Sequence, residues 1–215
     1  NEEQSAPSSR DASPNREIRL QPMSVAASLY RQLLDFNGSN HLLELLTIKK
    51  SSERHKLLQT IVDETFLKKF NSTSSSHEED DQLQKKKSNQ GRGLELFSAL
   101  LFRSLGYSII KCGGGPGDGG TDLIIKRNGE ISCVQCKQYT NKTVSESEVR
   151  DFYGVLTSRC LNESFFITTH RFSRAAIEFQ QTHAGNSMIL WDKSRLLEQL
   201  ERHAETIRRN FDAFR

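Results

Sequence analysis

From residue 24 to residue 70 the apolar positions recur at helical spacing. Leu29, Leu33 and Leu34 form one group, Leu42, Leu43, Leu45 and Leu46 the next, and Leu57, Leu58, Ile61, Val62 and Phe66 a third. The period predicts two or three short helices. Asn37-Gly38-Ser39-Asn40 breaks the first two, because glycine and asparagine accept turn dihedrals at little cost. The flanks lack the pattern. Residues 1–18 are polar, contain two prolines and have little to bury, so they read as a disordered lead-in. Residues 71–90 (NSTSSSHEEDDQLQKKKSNQ) carry an acidic run and then a basic one without periodicity, and read as a linker. This leaves a helical N-terminal region at 19–70 and a separate domain at 91–215.

Beyond residue 90, helical and strand periods alternate, which is the mark of an α/β domain. Leu94, Phe97, Leu100, Leu101 and Leu105 share one helical face over 93–105, and Gly106 stands where a left-handed helix stop is expected. Three short runs rich in isoleucine and valine follow at 108–112, 121–127 and 131–138. The last two are joined by Asn128-Gly129, a strong hairpin signal that predicts antiparallel pairing. Ser145-Glu146-Ser147-Glu148 matches a capping box, and Val149, Phe152, Tyr153 and Leu156 continue at helical spacing. A strand at 165–168, a helix at 173–182, a strand at 188–191 and a helix over 193–209 complete the order αβββαβαβα.

Length and composition narrow the picture. A chain of 215 residues has room for one good core and an appendage. A net charge of +3, with the basic excess lying after residue 90, permits contact with a polyanion without demanding it. The four cysteines, Cys112, Cys133, Cys136 and Cys160, lack the spacing of a secreted disulfide scaffold, so reduced intracellular thiols are expected. No window approaches the roughly 18 apolar residues of a membrane span. The chain begins with Asn1, which leaves room for a removed upstream targeting peptide, so the compartment could be cytoplasmic, nuclear or mitochondrial.

Candidate chemistry concentrates in residues 113–137, GGGPGDGGTDLIIKRNGEISCVQCK. Side chains alternate along a strand, so Gln135 and Lys137 emerge on one face and Cys136 on the other, while the hairpin partner brings Asp122 alongside. A carboxylate and an amide oxygen close together suit Mg²⁺, a hard cation that prefers oxygen ligands. A neighbouring lysine can position a water and stabilise charge developing on phosphorus. An aspartate and lysine paired on adjacent strands is the plainer alternative for so short a pattern.

Other local signals fail on context. Gly115 to Gly120 satisfies GxGxxG, but a dinucleotide site needs a helix after the glycines, and a strand is predicted there. The glycines, Gly119 and Gly120 among them, better serve a turn that lets a DNA backbone approach Asp122. Cys133 and Cys136 form a CxxC, but three residues apart in a strand they lie on opposite faces, and no second ligand pair for zinc is evident. His170, after the strand ending in Thr168-Thr169, reads as a loop histidine. Lys142 and Arg150 are candidates for phosphate contact beside Lys111, Lys126, Arg127, Arg171 and Arg174.

The strings GLELFSALLFRSLGY, GDGGTDLII, CVQCKQY, SESEVRDFYGVL, FFITTHRFSRAA and ILWDKSRLLEQL, in that order over about residues 91–200, resemble the Mrr-type restriction endonuclease domain. That family belongs to the PD-(D/E)xK nuclease superfamily, which also includes archaeal Holliday-junction resolvases. The resemblance implies a restriction-endonuclease-like mixed sheet with helices on both faces. It implies Asp122 as a metal-binding acid, Lys137 as the catalytic lysine, and Gln135 in the place of a second acid. Glu95 matches a glutamate of the first helix that adds a carboxylate to the site, and the Cys136 main-chain carbonyl matches a further metal ligand. Asp118 matches an aspartate that shapes the glycine-rich loop. Thr121 stands where the superfamily name has proline, and the N-terminal helices match nothing in the family.

The implied function is a Mg²⁺-dependent DNA endonuclease, with Mn²⁺ as a substitute metal and no nucleotide cofactor. A DNA-binding or genome-maintenance protein that keeps the fold without cutting is the alternative, and a pure interaction protein a third. The leucine spacing before residue 70 suits a small helical bundle, a dimerisation surface that would give a homodimer, or packing against the nuclease core, with an independent DNA-reading domain as a further alternative.

Overall fold

The computed structural model describes residues 91–114, 119–159 and 161–212, together with Glu53 and Lys56. The lead-in, the linker and, apart from Glu53 and Lys56, the N-terminal helical region lie outside the described residues. So do Asp118 and Cys160. The elements after residue 90 are α1 (Arg92–Ser104), β1 (Ser108–Cys112), β2 (Leu123–Arg127), β3 (Glu130–Lys137), α2 (Glu146–Ser158), β4 (Glu163–Thr168), α3 (Arg174–Phe179), β5 (Met188–Trp191) and α4 (Lys193–Asp212). This is the αβββαβαβα order the periodicity predicts. The strands form one mixed sheet in the order β1-β2-β3-β4-β5. β1, β2 and β3 pair antiparallel, whereas β3 with β4 and β4 with β5 are parallel.

Local chemistry accounts for most boundaries. Asn128 and Gly129 both take positive φ (54° and 89°), the requirement of a two-residue hairpin turn matched to strand twist, and Arg127 pairs with Glu130 across it. At α2 the Ser145 hydroxyl accepts from the Glu148 N–H while the Glu148 carboxylate accepts from the Ser145 N–H, a reciprocal cap on otherwise orphaned donors. The helix expected over 173–182 is interrupted. α3 stops at Phe179, widens into a π-helical turn over Gln180–Ala184, and tightens into a 3₁₀ turn over Gly185–Ser187. The Gln180 side chain donates to the carbonyls of both Gly185 and Met188 (2.6 and 2.8 Å), tying the widened turn to the start of β5.

Strand alternation sends two sets of side chains to two helical layers. On one face, Leu123, Ile125, Val134, Cys136, Phe165, Ile167 and Trp191 pack against α1 and α4. α4 meets them through Leu196, Leu197, Leu200 and Ile207, the buried positions of an amphipathic helix. On the other face, Cys133, Phe166 and Met188 pack against Val149 and Phe152 of α2 and Ala176 and Phe179 of α3. Phe102 is central to the first layer. Its ring stacks on Trp191 with centroids 5.3 Å apart and meets Phe165 and Tyr107 edge-on at 4.7 and 5.4 Å.

Two outcomes follow from this packing. Phe102→Ala, which empties a fully enclosed site, is expected to cost about 3–5 kcal/mol of unfolding free energy in denaturant titration. Glu148 gives a pH signature. Burial alone would raise its carboxyl, but hydrogen bonds from the Ser145 main chain, Tyr139, Lys142 and the Ser145 hydroxyl outweigh burial and lower it to about 2. Its folded value lies below the ordinary one near 4.5, so the stabilisation is complete above that pH and is lost as pH falls toward 2. Thermal unfolding across this window should therefore depend less on pH in Glu148→Gln.

Candidate active site

Asp122 lies one residue before β2, where β2 and β3 begin to separate. Its N–H bonds the Val134 carbonyl (2.9 Å) and its own carbonyl accepts from the Gly113 N–H (2.7 Å), so its main chain is fixed from both neighbouring strands. Its Oδ2 accepts from the Cys136 N–H at 2.7 Å, which carries the carboxylate across the gap to β3. In a strand the N–H and C=O of one residue face the same neighbour, so the Cys136 carbonyl is also turned to the Asp122 side. The next carbonyl, that of Lys137, faces β4 and accepts from the Thr168 hydroxyl and the Thr169 N–H. The Cys136 thiol points into the α1 layer, 3.6 Å from the Ser98 hydroxyl.

Glu95 approaches from the first turn of α1. It is largely buried and ion-paired with Arg92 at 2.7 Å. The Arg92 guanidinium reaches on to within 3.8 Å of the Cys112 Sγ and lies so close to Gly113 that a Cβ there would stand 2.7 Å from it. Both nearby thiols respond to the two carboxylates. Burial pushes Cys112 up to about 11, with Arg92 opposing and Glu95 and Asp122 adding to the rise. Burial also drives Cys136 well above the ordinary thiol value, and Asp122 and Glu95 reinforce it. Glu95 and Asp122 therefore converge on the ends of β1 and β3.

Gln135 projects to the opposite face, toward α2. Its Nε2 lies against Gly120, where an added Cβ would stand 2.7 Å away, and Gly119 presses equally closely on Val155 of α2. Both glycines have positive φ (69° and 80°), so the loop needs them for its backbone as well as for the close approach. Gln135 Oε1 is fully enclosed, and no protein donor among the described residues reaches it. Leaving a buried amide oxygen unpaired costs about 1–3 kcal/mol. Lys137, two residues on and half-buried, leaves the strand on the Gln135 face by alternation.

The structure thus joins Asp122 to Cys136 and sets Gln135 against Gly120, with Glu95 near Cys112 and Cys136. It gives the two basic candidates other partners. Lys142 bonds the Tyr139 hydroxyl (3.1 Å) and Glu148 (3.0 Å), and Arg150 pairs with Glu146 and lies over the Phe179 ring. Both remain exposed. Cys133 and Cys136 enter different core layers, and the three described cysteines are free thiols, so the CxxC joins nothing. β2, not a helix, follows the glycines, which removes the dinucleotide reading. Among the described residues no three His, Cys, Asp or Glu side chains stand together as a metal cage.

Four contributors escape the sequence. Arg92 stands one helical turn before Glu95, a spacing too common to single out. Arg159, just past α2, donates to the Thr121 hydroxyl at 3.3 Å and to the Cys133 sulfur at 3.6 Å, holding the residue that replaces the superfamily proline. Thr168 and Thr169 bind the main chain after the QxK motif, a contact across some 30 residues that no local pattern encodes.

Residues 87–200 match the family Mrr_cat, restriction endonuclease. Over 87 residues, 39% of this chain, the sequence is 40% identical to the Type IV methyl-directed restriction enzyme EcoKMrr of Escherichia coli (strain K12). The chain spans 28% of that relative's length. Two solved structures are similar at lower identity. One is the MspJI restriction endonuclease in complex with a 27-mer oligonucleotide, 20% identical with TM-score 0.44, covering 67% of this chain and 38% of that one. The other is the DNA modification-dependent restriction endonuclease AspBHI, 18% identical with TM-score 0.46, covering 78% of this chain and 42% of that one. The family match takes in more than half of the chain and runs through α1, all five strands and the start of α4, with Glu95, Asp122, Gln135 and Lys137 inside it; the chain belongs to the Mrr_cat restriction endonuclease family.

Proposed function

We propose that this chain hydrolyses DNA phosphodiester bonds endonucleolytically, with Mg²⁺ held by Asp122, Glu95, Gln135 and the Cys136 main-chain carbonyl, and Lys137 as the catalytic amine. The observation that carries this reading is the Asp122 carboxylate, held across the β2–β3 gap by the Cys136 N–H at 2.7 Å, with Gln135 next along β3 carrying an enclosed oxygen that no protein donor among the described residues reaches. The donor set fits the ion, since two carboxylates, an amide and a carbonyl are hard oxygens. Mn²⁺ suits the same oxygens.

When bound, Mg²⁺ supplies Lewis acidity toward a phosphoryl oxygen and a lowered pKa for water. The chain's own groups supply orientation and charge. The Cys136 N–H fixes the Asp122 carboxylate, and the Gly113 and Val134 main chains fix its backbone. Arg92 holds Glu95 against the end of β1. The Lys137 ammonium would donate to the attacking water and to the oxygens on which charge grows, where a fixed donor stabilises the transition state more than the ground state. The exposed Gly119-Gly120 turn would let a phosphate backbone approach, and the exposed Lys142, ahead of α2, and Arg150, in its second turn, could exchange their intramolecular partners for phosphates.

Purified protein should cut at least one of plasmid, branched or methylated DNA when Mg²⁺ is added. Lys137→Ala should remove cleavage while leaving DNA binding within about threefold, because one cation among several contributes little to affinity. Full cleavage by that variant would end the mechanism, and metal-independent DNA binding without any cutting would favour a non-cleaving genome-maintenance role.

Gly120→Ala tests the glutamine. Its Cβ would displace the Gln135 amide, so half-maximal cleavage should need on the order of tenfold more Mg²⁺. An unchanged Mg²⁺ requirement would place Gln135 outside the metal site.

A further inference from the structure

The parallel ladder between β3 and β4 ends at the pair Lys137 and Thr168. Beyond it both chains leave the sheet, yet they stay together. The Thr168 hydroxyl donates to the Lys137 carbonyl at 2.9 Å, closer than the main-chain N–H of Thr169 on the same oxygen at 3.3 Å. The Thr169 hydroxyl then does what a strand peptide would do. It accepts from the Tyr139 N–H and donates to the Tyr139 carbonyl, both at 2.9 Å. Both threonines are buried, at 0% and 4% exposure.

The same two segments meet again further out. Val144 pairs with Phe172 in an isolated parallel bridge, with the Val144 N–H on the Arg171 carbonyl at 3.0 Å and the Ser173 N–H on the Val144 carbonyl at 2.9 Å. The Tyr139 side chain is fastened as well, through its hydroxyl to Glu148 in the first turn of α2. The backbone that leaves Lys137 is therefore gripped at its own carbonyl, at both main-chain groups of Tyr139 and at the Tyr139 ring.

We propose that Thr168 and Thr169 form a hydroxyl clamp that positions Lys137, setting the direction in which its side chain leaves β3 relative to Asp122. Neither threonine touches substrate; they are positioning residues, and their role in catalysis rests on the reading of Lys137 given above. A lysine side chain has four rotatable bonds, so the direction of its Cα–Cβ bond is what the main chain can fix and the head group starts from. A displacement of about 1 Å at a reacting group can cost on the order of 10²-fold in rate. Valine keeps the shape of threonine and removes the hydroxyl. Serine keeps the hydroxyl.

The test compares Thr168→Val, Thr169→Val, Thr168→Ser, Thr169→Ser and Lys137→Ala in Mg²⁺-dependent DNA cleavage. It adds hydrogen exchange at the Tyr139 amide and amine-labelling mass spectrometry of Lys137. The valine variants should lose kcat by on the order of 10–10²-fold with KM for DNA unchanged. Both should also change the labelling rate of Lys137 several-fold, Thr169→Val should in addition expose the Tyr139 amide, and the serine variants should restore each readout. Cleavage abolished in Lys137→Ala but unchanged in both valine variants would overturn the clamp and leave the site intact. Cleavage unaffected in Lys137→Ala would overturn the reading of the site, and unchanged exchange and labelling in the valine variants would then overturn the clamp separately. Should the fully enclosed Thr168→Val fail to fold, Thr169→Val decides, since it alone removes both bonds to Tyr139.

Discussion

The 2.7 Å hydrogen bond from the Cys136 N–H to Asp122 Oδ2 is the constraint on which the site depends. Two paired strands normally satisfy each other through main-chain groups alone, and where they separate, each loses its partner. Here the separation is used. Asp122 supplies a side-chain acceptor to the Cys136 amide just where β2 no longer can, so the sheet opens without leaving that donor unpaired. The Asp122 carboxylate thus offsets the cost of opening. Because the Cys136 carbonyl must face the same way as its N–H, an acceptor oxygen is turned into the same gap.

Alternation on either side of Cys136 then distributes the remaining parts. The Cys136 thiol belongs to the α1 core beside Ser98. Gln135 and Lys137 belong to the α2 face, where Gly120 is pressed against the glutamine amide. One strand of eight residues therefore contributes to a hydrophobic layer, a strand gap and an enclosed polar pocket at once. A slip of one residue in the pairing of β3 would exchange all three. The Asn128-Gly129 turn resists that slip on one side, the parallel ladder to β4 with its terminal threonines on the other.

How much of this was legible follows from how local each cause is. The hairpin rests on two adjacent residues with positive φ, the α2 start on four residues of a capping box, and the α4 face on a 3.6 period; all three are readable in the sequence. The π-helical turn after Phe179 was not readable, because it is organised by the Gln180 amide reaching two carbonyls, one of them in the next strand. At the site, Asp122, Gln135 and Lys137 lie within one hairpin, and the resemblance supplied Glu95. Arg92 and Arg159 acquire their meaning only when α1 and α2 are laid against the sheet, since the groups they meet, Cys112, Thr121 and Cys133, are 20 to 38 residues away.

The placement of charge explains why an amide stands at position 135 while the acids lie elsewhere. An ionised carboxylate enclosed without a counter-charge is far costlier than an unpaired amide oxygen, which forfeits only about 1–3 kcal/mol. Each acid here has its own support: Glu95 has the Arg92 guanidinium and Asp122 has the Cys136 amide. Position 135 is walled by Gly120, and no protein donor among the described residues reaches its oxygen. A glutamate in that pocket would carry an enclosed charge, and desolvation would favour its protonated form. A glutamine keeps a hard oxygen donor in place whether or not a cation is present. The fold thus holds that oxygen in place at the modest cost of one orphaned carbonyl, while the Glu95 carboxylate stands on the α1 layer with Arg92 as its counter-charge.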